Sequence, residues 1–174
     1  MRVHDLKRSI REVPDFPKPG IRFYDVTTLF RSPDAFGTAL DRLVERFRGE
    51  PIDAFAGIEA RGFVLAAALA YALRGGLILV RKPGKLPAEV VTEDYELEYG
   101  SARVEVHRDA VAAEQRILIV DDVLATGGTA AATARLVEHL GGHVLGFAFL
   151  VELGFLGGRA RLGDADVFSL VQYD

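Results

Sequence analysis

A chain of 174 residues with 49% hydrophobic content can bury one substantial core and leaves little room for a second, so a single domain over residues 1–174 is expected. The net charge of −4 argues against broad electrostatic binding to nucleic acid, and with no cysteine any metal must be held by oxygen or imidazole ligands. Apolar runs such as Phe63 to Leu73 are too short to span a bilayer, and the charged stretch from Arg2 to Arg11 is unlike an export signal, so a cytoplasmic protein without a membrane partner is expected.

Val3, Leu6, Ile10 and Val13 recur at helical spacing and predict an amphipathic helix that stops at Pro14. A proline-rich turn to Gly20 follows. Ser32 is a good N-cap with Pro33 in the first helical position, and Phe36, Leu40, Leu43, Val44 and Phe47 mark one face of a helix ending at Gly49. Apolar runs of strand length then fall at Ile52 to Ile58, Leu77 to Val80, Arg116 to Val120 and His143 to Val151. Alanine-rich helical stretches at Gly62 to Leu73 and Gly128 to Leu140 separate them. The alternation predicts an α/β fold, a mainly parallel sheet flanked by helices. Val90 to His107 is polar and partly alternating, and reads as a β-hairpin or long loop projecting from the sheet.

Ligands of such sheets gather at the carboxyl ends of the strands, which directs attention to the strand-to-helix junctions. The run Ile117 to Val120 leads into Asp121 and Asp122, then Ala125, Thr126, Gly127, Gly128 and Thr129. Small residues there can turn several backbone N–H groups and two hydroxyls toward one point at a helix N-terminus, where the dipole favours phosphate. The spacing is neither that of a Walker loop nor the GxGxxG dinucleotide fingerprint. Asp121 and Asp122 could accept hydrogen bonds from a sugar diol and help organise a hydrated Mg²⁺, or serve only as acids at a helix start. Glu59, Ala60, Arg61 and Gly62 form a second such junction, and Arg81, Lys82 and Lys85 crowd the end of another strand.

Val120 to Thr129 resembles the signature of type I phosphoribosyltransferases. Pro19 to Phe23, Glu59 to Phe63, Arg81 to Pro87, Tyr95 to Gly100 and Phe168 to Tyr173 extend the resemblance to the purine-specific, and among them adenine-specific, members of that family. The resemblance implies transfer of a phosphoribosyl group from phosphoribosyl diphosphate to adenine with Mg²⁺, in a homodimer. Another base (hypoxanthine, guanine, xanthine or orotate) and a ligand-sensing regulator with the same fold remain as alternatives. It further implies a small N-terminal hood over residues 1–30, a mobile catalytic loop over about 90–107, and a non-proline cis peptide between Glu59 and Arg61. Residue by residue, Asp121, Asp122 and Ala125 through Thr129 would hold the ribose and 5′-phosphate, with the metal reached from the two aspartates through water. Arg61, Arg81, Lys85 and Tyr99 would contact the diphosphate. Phe23 and Leu153 would sandwich the base, Arg22 and Tyr24 would reach its edge through backbone groups, and Glu98 would be the general acid/base near purine N7. Tyr24 stands where the family carries an arginine.

Overall fold

The computed structural model describes residues 3–97 and 100–174, with side chains from Asp5 onward. The chain begins with α1 (Val3–Leu6), a 3₁₀ turn (Lys7–Ser9) and β1 (Arg11–Val13), which pairs antiparallel with β2 (Phe23–Asp25). The helix expected to run to Pro14 therefore ends early. Ile10 leaves the helical region at φ −96° and ψ 125°, and Arg11 stands opposite Asp25, to which it is ion-paired at 2.7 Å. This long-range pairing overrides the local helical spacing.

After α2 (Thr27–Arg31), α3 spans Pro33–Phe47. Its cap is the expected one: the Ser32 side chain accepts a hydrogen bond from the Ala35 N–H, and Pro33 occupies the first turn, where no N–H is needed. Next come β3 (Ala54–Ile58), α4 (Gly62–Leu73), β4 (Gly76–Val80), β5 (Val90–Glu96), β6 (Ser101–His107) and β7 (Arg116–Leu124). The chain closes with α5 (Gly128–His139), β8 (His143–Leu153), two 3₁₀ turns (Gly154–Leu156 and Gly158–Leu162) and β9 (Val167–Tyr173).

Five strands form a parallel sheet in the order β4-β3-β7-β8-β9, and β5 and β6 form a separate antiparallel hairpin. Both faces of the sheet are covered, which is why its central strands read as unbroken apolar runs. Phe55, Leu118, Val120 and Leu150 pack with α2, α3 and α4, while Ala56, Ile58, Ile117 and Ile119 pack with α5 and the hairpin. Alternate residues of one strand thus feed two cores. The carboxyl ends of β3, β4, β7 and β8 meet at one edge, where the β1–β2 ribbon overhangs them.

Candidate active site

A cavity of about 810 Å³ opens at that edge. Arg22, Phe23, Tyr24, Arg61, Arg81, Asp121, Asp122, Ala125, Thr126, Thr129 and Leu153 all line it. Gly127 and Gly128 line a smaller recess, about 70 Å³, which shares Asp121, Ala125, Thr126 and Thr129 with the main cavity. Lys85 lies off the cavity wall with an exposed side chain, and its carbonyl accepts a hydrogen bond from Arg81 Nη1 at 3.1 Å. Glu98 and Tyr99 lie outside the described residues.

The cradle is built on backbone contact. Gly127, at φ 80°, is the N-cap of α5 and contributes no side chain to the first-turn amides, which remain available to an anion. A Cβ on Gly127 would stand under 3.0 Å from the Gly158 carbonyl oxygen, so the loop and the β8–β9 connection are locked main chain to main chain. Arg161, on that connection, lies beside Gly127 and Gly128 and has no ion-pair partner among the described residues. Sequence reading did not single it out, because its cue is a contact across the fold.

The two aspartates lie within β7 rather than beyond it, since the strand continues to Leu124 against β8. Asp121 sits against the start of α4: a Cβ on Gly62 would be 2.8 Å from both Asp121 Oδ1 and the Val120 carbonyl oxygen. Burial, together with the Asp122 charge, pushes the Asp121 carboxyl well above the usual carboxylate range. Asp122 is 6% exposed and is ion-paired with Arg61, while its N–H donates to Asp121 Oδ1 at 2.8 Å. Arg61 is thus bonded to Asp122 and acts on Asp121 only through its charge.

Arg61 pairs with Asp122, whereas Glu59, nearer in sequence, pairs with Arg81. Glu59 Oε2 accepts from the Lys82 N–H at 3.0 Å and from Arg81 Nε at 3.2 Å, and these contacts hold its carboxyl below the ordinary range, the Lys82 amide contributing most. The Glu59–Ala60 peptide is cis, as the resemblance implied. Glu105 on β6 braces the same basic turn, exchanging backbone hydrogen bonds with Arg81 at 2.8 and 2.9 Å and accepting from the Gly84 N–H at 3.1 Å.

Under the β1–β2 ribbon, Phe23 projects between Phe16 and Arg61, with ring centroids 5.2 Å apart in an edge-on pair and the guanidinium 5.5 Å from its centroid. Leu153, at the end of β8, is 8% exposed and also packs into the core. Tyr24 turns its ring against Tyr173, with centroids 4.2 Å apart, and Arg22 pairs with Glu12 at 2.8 Å. Both side chains are thus committed elsewhere, which fits positions that would act through their backbone.

One cavity therefore combines a phosphate-type helix start, a second loop carrying an arginine, paired carboxylates and an aromatic ring. These features define a phosphoribosyl-transferring α/β domain. Residues 27–171 match the phosphoribosyl transferase domain family, and the chain belongs to that family. It is similar to the adenine phosphoribosyltransferase of Solibacter usitatus (strain Ellin6076), 58% identical over 170 residues and covering 98% of each chain. That of Desulfitobacterium hafniense (strain Y51) is 56% identical over 173 residues, covering 99% of this chain and 100% of its own. The crystal structure of adenine phosphoribosyltransferase from Thermoanaerobacter pseudethanolicus superimposes with a TM-score of 0.96 at 49% identity, covering 99% of this chain and 100% of that one. The Giardia lamblia enzyme complexed with 9-deazaadenine gives a TM-score of 0.94 at 33% identity, covering 100% and 99%.

Proposed function

We infer that this chain transfers the phosphoribosyl group of phosphoribosyl diphosphate to adenine, giving AMP and diphosphate. The observation that carries the reading is the single cavity in which the Thr126–Thr129 cradle, the Arg61 and Arg81 loops and Phe23 converge. The adenine named for relatives that align along almost the whole chain supports the choice of base.

In this reading the 5′-phosphate rests on the α5 start, and the ribose diol faces Asp121 and Asp122. Arg61, Arg81, Lys85 and Tyr99 receive the diphosphate, and Phe23 with Leu153 holds the purine. As the C1′–O bond to diphosphate breaks, the cationic side chains offset the charge that grows on the leaving group. The N9–C1′ bond forms as Glu98 accepts the ring proton from purine N7, so that the base leaves the step neutral. Among the described residues no cluster of three or more His, Asp or Glu side chains could hold a metal. The donor set nevertheless fits Mg²⁺, which binds to one or two carboxylates and completes its shell with water and substrate oxygens. Asp121 and Asp122 would hold it through water, and it would supply positive charge to offset that of the leaving group.

The same reading carries a cytoplasmic location and a homodimer. Leu77 and Leu79 of β4 and Val64 and Tyr71 of α4, each at least 41% exposed, support self-association. Ile78 and Val80 enter the core on the α5 side, so Leu77 and Leu79 face the α4 side of this edge strand. No helix among the described residues is long and apolar enough to cross a membrane.

The test is diphosphate release from phosphoribosyl diphosphate with adenine, hypoxanthine, guanine, xanthine and orotate offered separately. Adenine alone should support turnover at low concentration, because an acceptor-for-donor swap on the base leaves a buried polar group unpaired. Preference for another base would replace the adenine assignment, and release with none would remove the transfer reaction.

A further inference from the structure

Tyr95 reaches the phosphate cradle from outside it. It lies on β5 opposite Ala102 of β6, and its hydroxyl is 3.0 Å from Thr129 Oγ1. Its ring occupies the space beside Gly128, where an added Cβ would be 3.0 Å from Tyr95 Cδ2. Glu93, two residues earlier and on the same strand face, is ion-paired with Arg135 of α5 at 2.5 Å. The hairpin is thus fastened to the helix whose first turn forms the cradle, and Tyr95 is the only described residue outside that turn to engage the Thr129 hydroxyl.

We propose that Tyr95 is a positioning residue for the donor's 5′-phosphate, orienting the Thr129 hydroxyl through a two-hydroxyl relay. A threonine hydroxyl has one proton to donate and two lone pairs that accept. A phosphate oxygen only accepts, so Thr129 must donate to it. Tyr95 O–H then donates into the lone pair of Thr129 Oγ1, which fixes the rotor and polarises the O–H toward the anion. The relay would link a phosphate held in the cradle to the strand that leads into Glu98.

This inference rests on the cradle reading above, and the experiment separates the two. Binding of ribose 5-phosphate is measured by calorimetry, with donor and adenine KM values alongside, for the parent, Tyr95→Phe, Thr129→Val and the double variant. Tyr95→Phe keeps the ring against Gly128 and should melt like the parent. It should weaken ribose 5-phosphate binding and raise donor KM about 3- to 10-fold, the scale of one hydrogen bond, with adenine KM changed less than about twofold. In the Thr129→Val background the same change should have no further effect, because the relay has lost its middle oxygen. Thr129→Ser, which keeps that oxygen, should restore sensitivity to Tyr95→Phe and stands in should the valine variant fold poorly. Unchanged binding in Thr129→Val removes the cradle and the relay together. Weakened binding in Thr129→Val with an inert Tyr95→Phe, or with effects that multiply, keeps the cradle and overturns the relay.

Discussion

Replacing Gly127 by alanine tests the cradle's construction with an internal control. At φ 80° an L-residue costs about 1–2 kcal/mol relative to glycine. The new methyl would also meet the Gly158 carbonyl oxygen at under 3.0 Å and its carbon at 3.1 Å, main-chain atoms that no rotamer change can move. Forcing the two loops apart adds a cost on the scale of core overpacking, about 1–3 kcal/mol, for a total near 2–5 kcal/mol. For a domain of this size that lowers the melting temperature by about 4–20 °C. Gly157, at φ 65°, has nothing within 4 Å of its would-be Cβ, so Gly157→Ala carries the conformational cost alone, about 2–8 °C. Scanning calorimetry on both variants isolates the contact. Gly127→Ala should also raise donor KM well above any change in adenine KM, because the displaced amides are those proposed to face phosphate. If Gly127→Ala melts no lower than Gly157→Ala, the main-chain lock between cradle and β8–β9 connection is wrong.

Phe23→Ala should raise adenine KM about 5- to 150-fold, since stacking a base on an aromatic ring contributes about 1–3 kcal/mol; an unchanged value would make Phe23 a packing residue for Phe16 and Arg61. Asp121→Asn should trade donor binding for stability. Because the folded-state pKa of Asp121 is raised above 3.8, its stabilising contribution is present below that pH and is lost as pH rises through the folded value, so the variant should melt above the parent at neutral pH and converge with it on acidification. Melting curves across pH decide this, and a parent more stable at pH 7 would refute it. Glu98→Gln should slow single-turnover chemistry by roughly 10²–10⁴ with both substrates saturating, whereas Glu96→Gln should change it little; an unaffected chemical rate removes Glu98 from proton transfer.

The elements legible in the sequence are those whose cues are local. The Ser32-Pro33 start of α3, the Gly62–Leu73 helix and the alternating hairpin each follow from capping or periodicity within one segment. The elements that were not legible depend on partners far along the chain. β1 exists through its register with β2, and β9, interrupted by Ser169 and Gln172, completes the sheet by covering the free edge of β8. The site follows the same division. Its Asp121–Thr129 loop and basic turn are contiguous strings, but the pairing of Arg61 with Asp122 spans 61 positions, while Glu59, closer in sequence, binds the Lys82 amide and Arg81. Tyr95 opens one of the segments that carry the family resemblance, but its contact with the start of α5 follows only from the folded hairpin.

The contact between Gly62 and Asp121 explains why these two loops must be considered together. α4 starts close enough to β7 that a side chain larger than hydrogen at residue 62 would strike Asp121 and the Val120 carbonyl. The loop that carries Arg61 is thereby held against the strand that carries the aspartates, on the neighbouring parallel strands β3 and β7. Close approach brings the arginine to Asp122, but it also crowds a second carboxyl into the same buried space, where desolvation and the adjacent charge disfavour ionisation. One guanidinium is left to serve two acids, an arrangement poorly suited to maximal stability and well suited to receiving diol hydroxyls and a hydrated cation. Donor binding would bring diol hydroxyls and positive charge to Asp121 and Asp122 while offering Arg61 a diphosphate in place of a carboxylate. Part of the stability that the crowded Asp121 carboxyl costs the fold would then reappear as affinity for the donor.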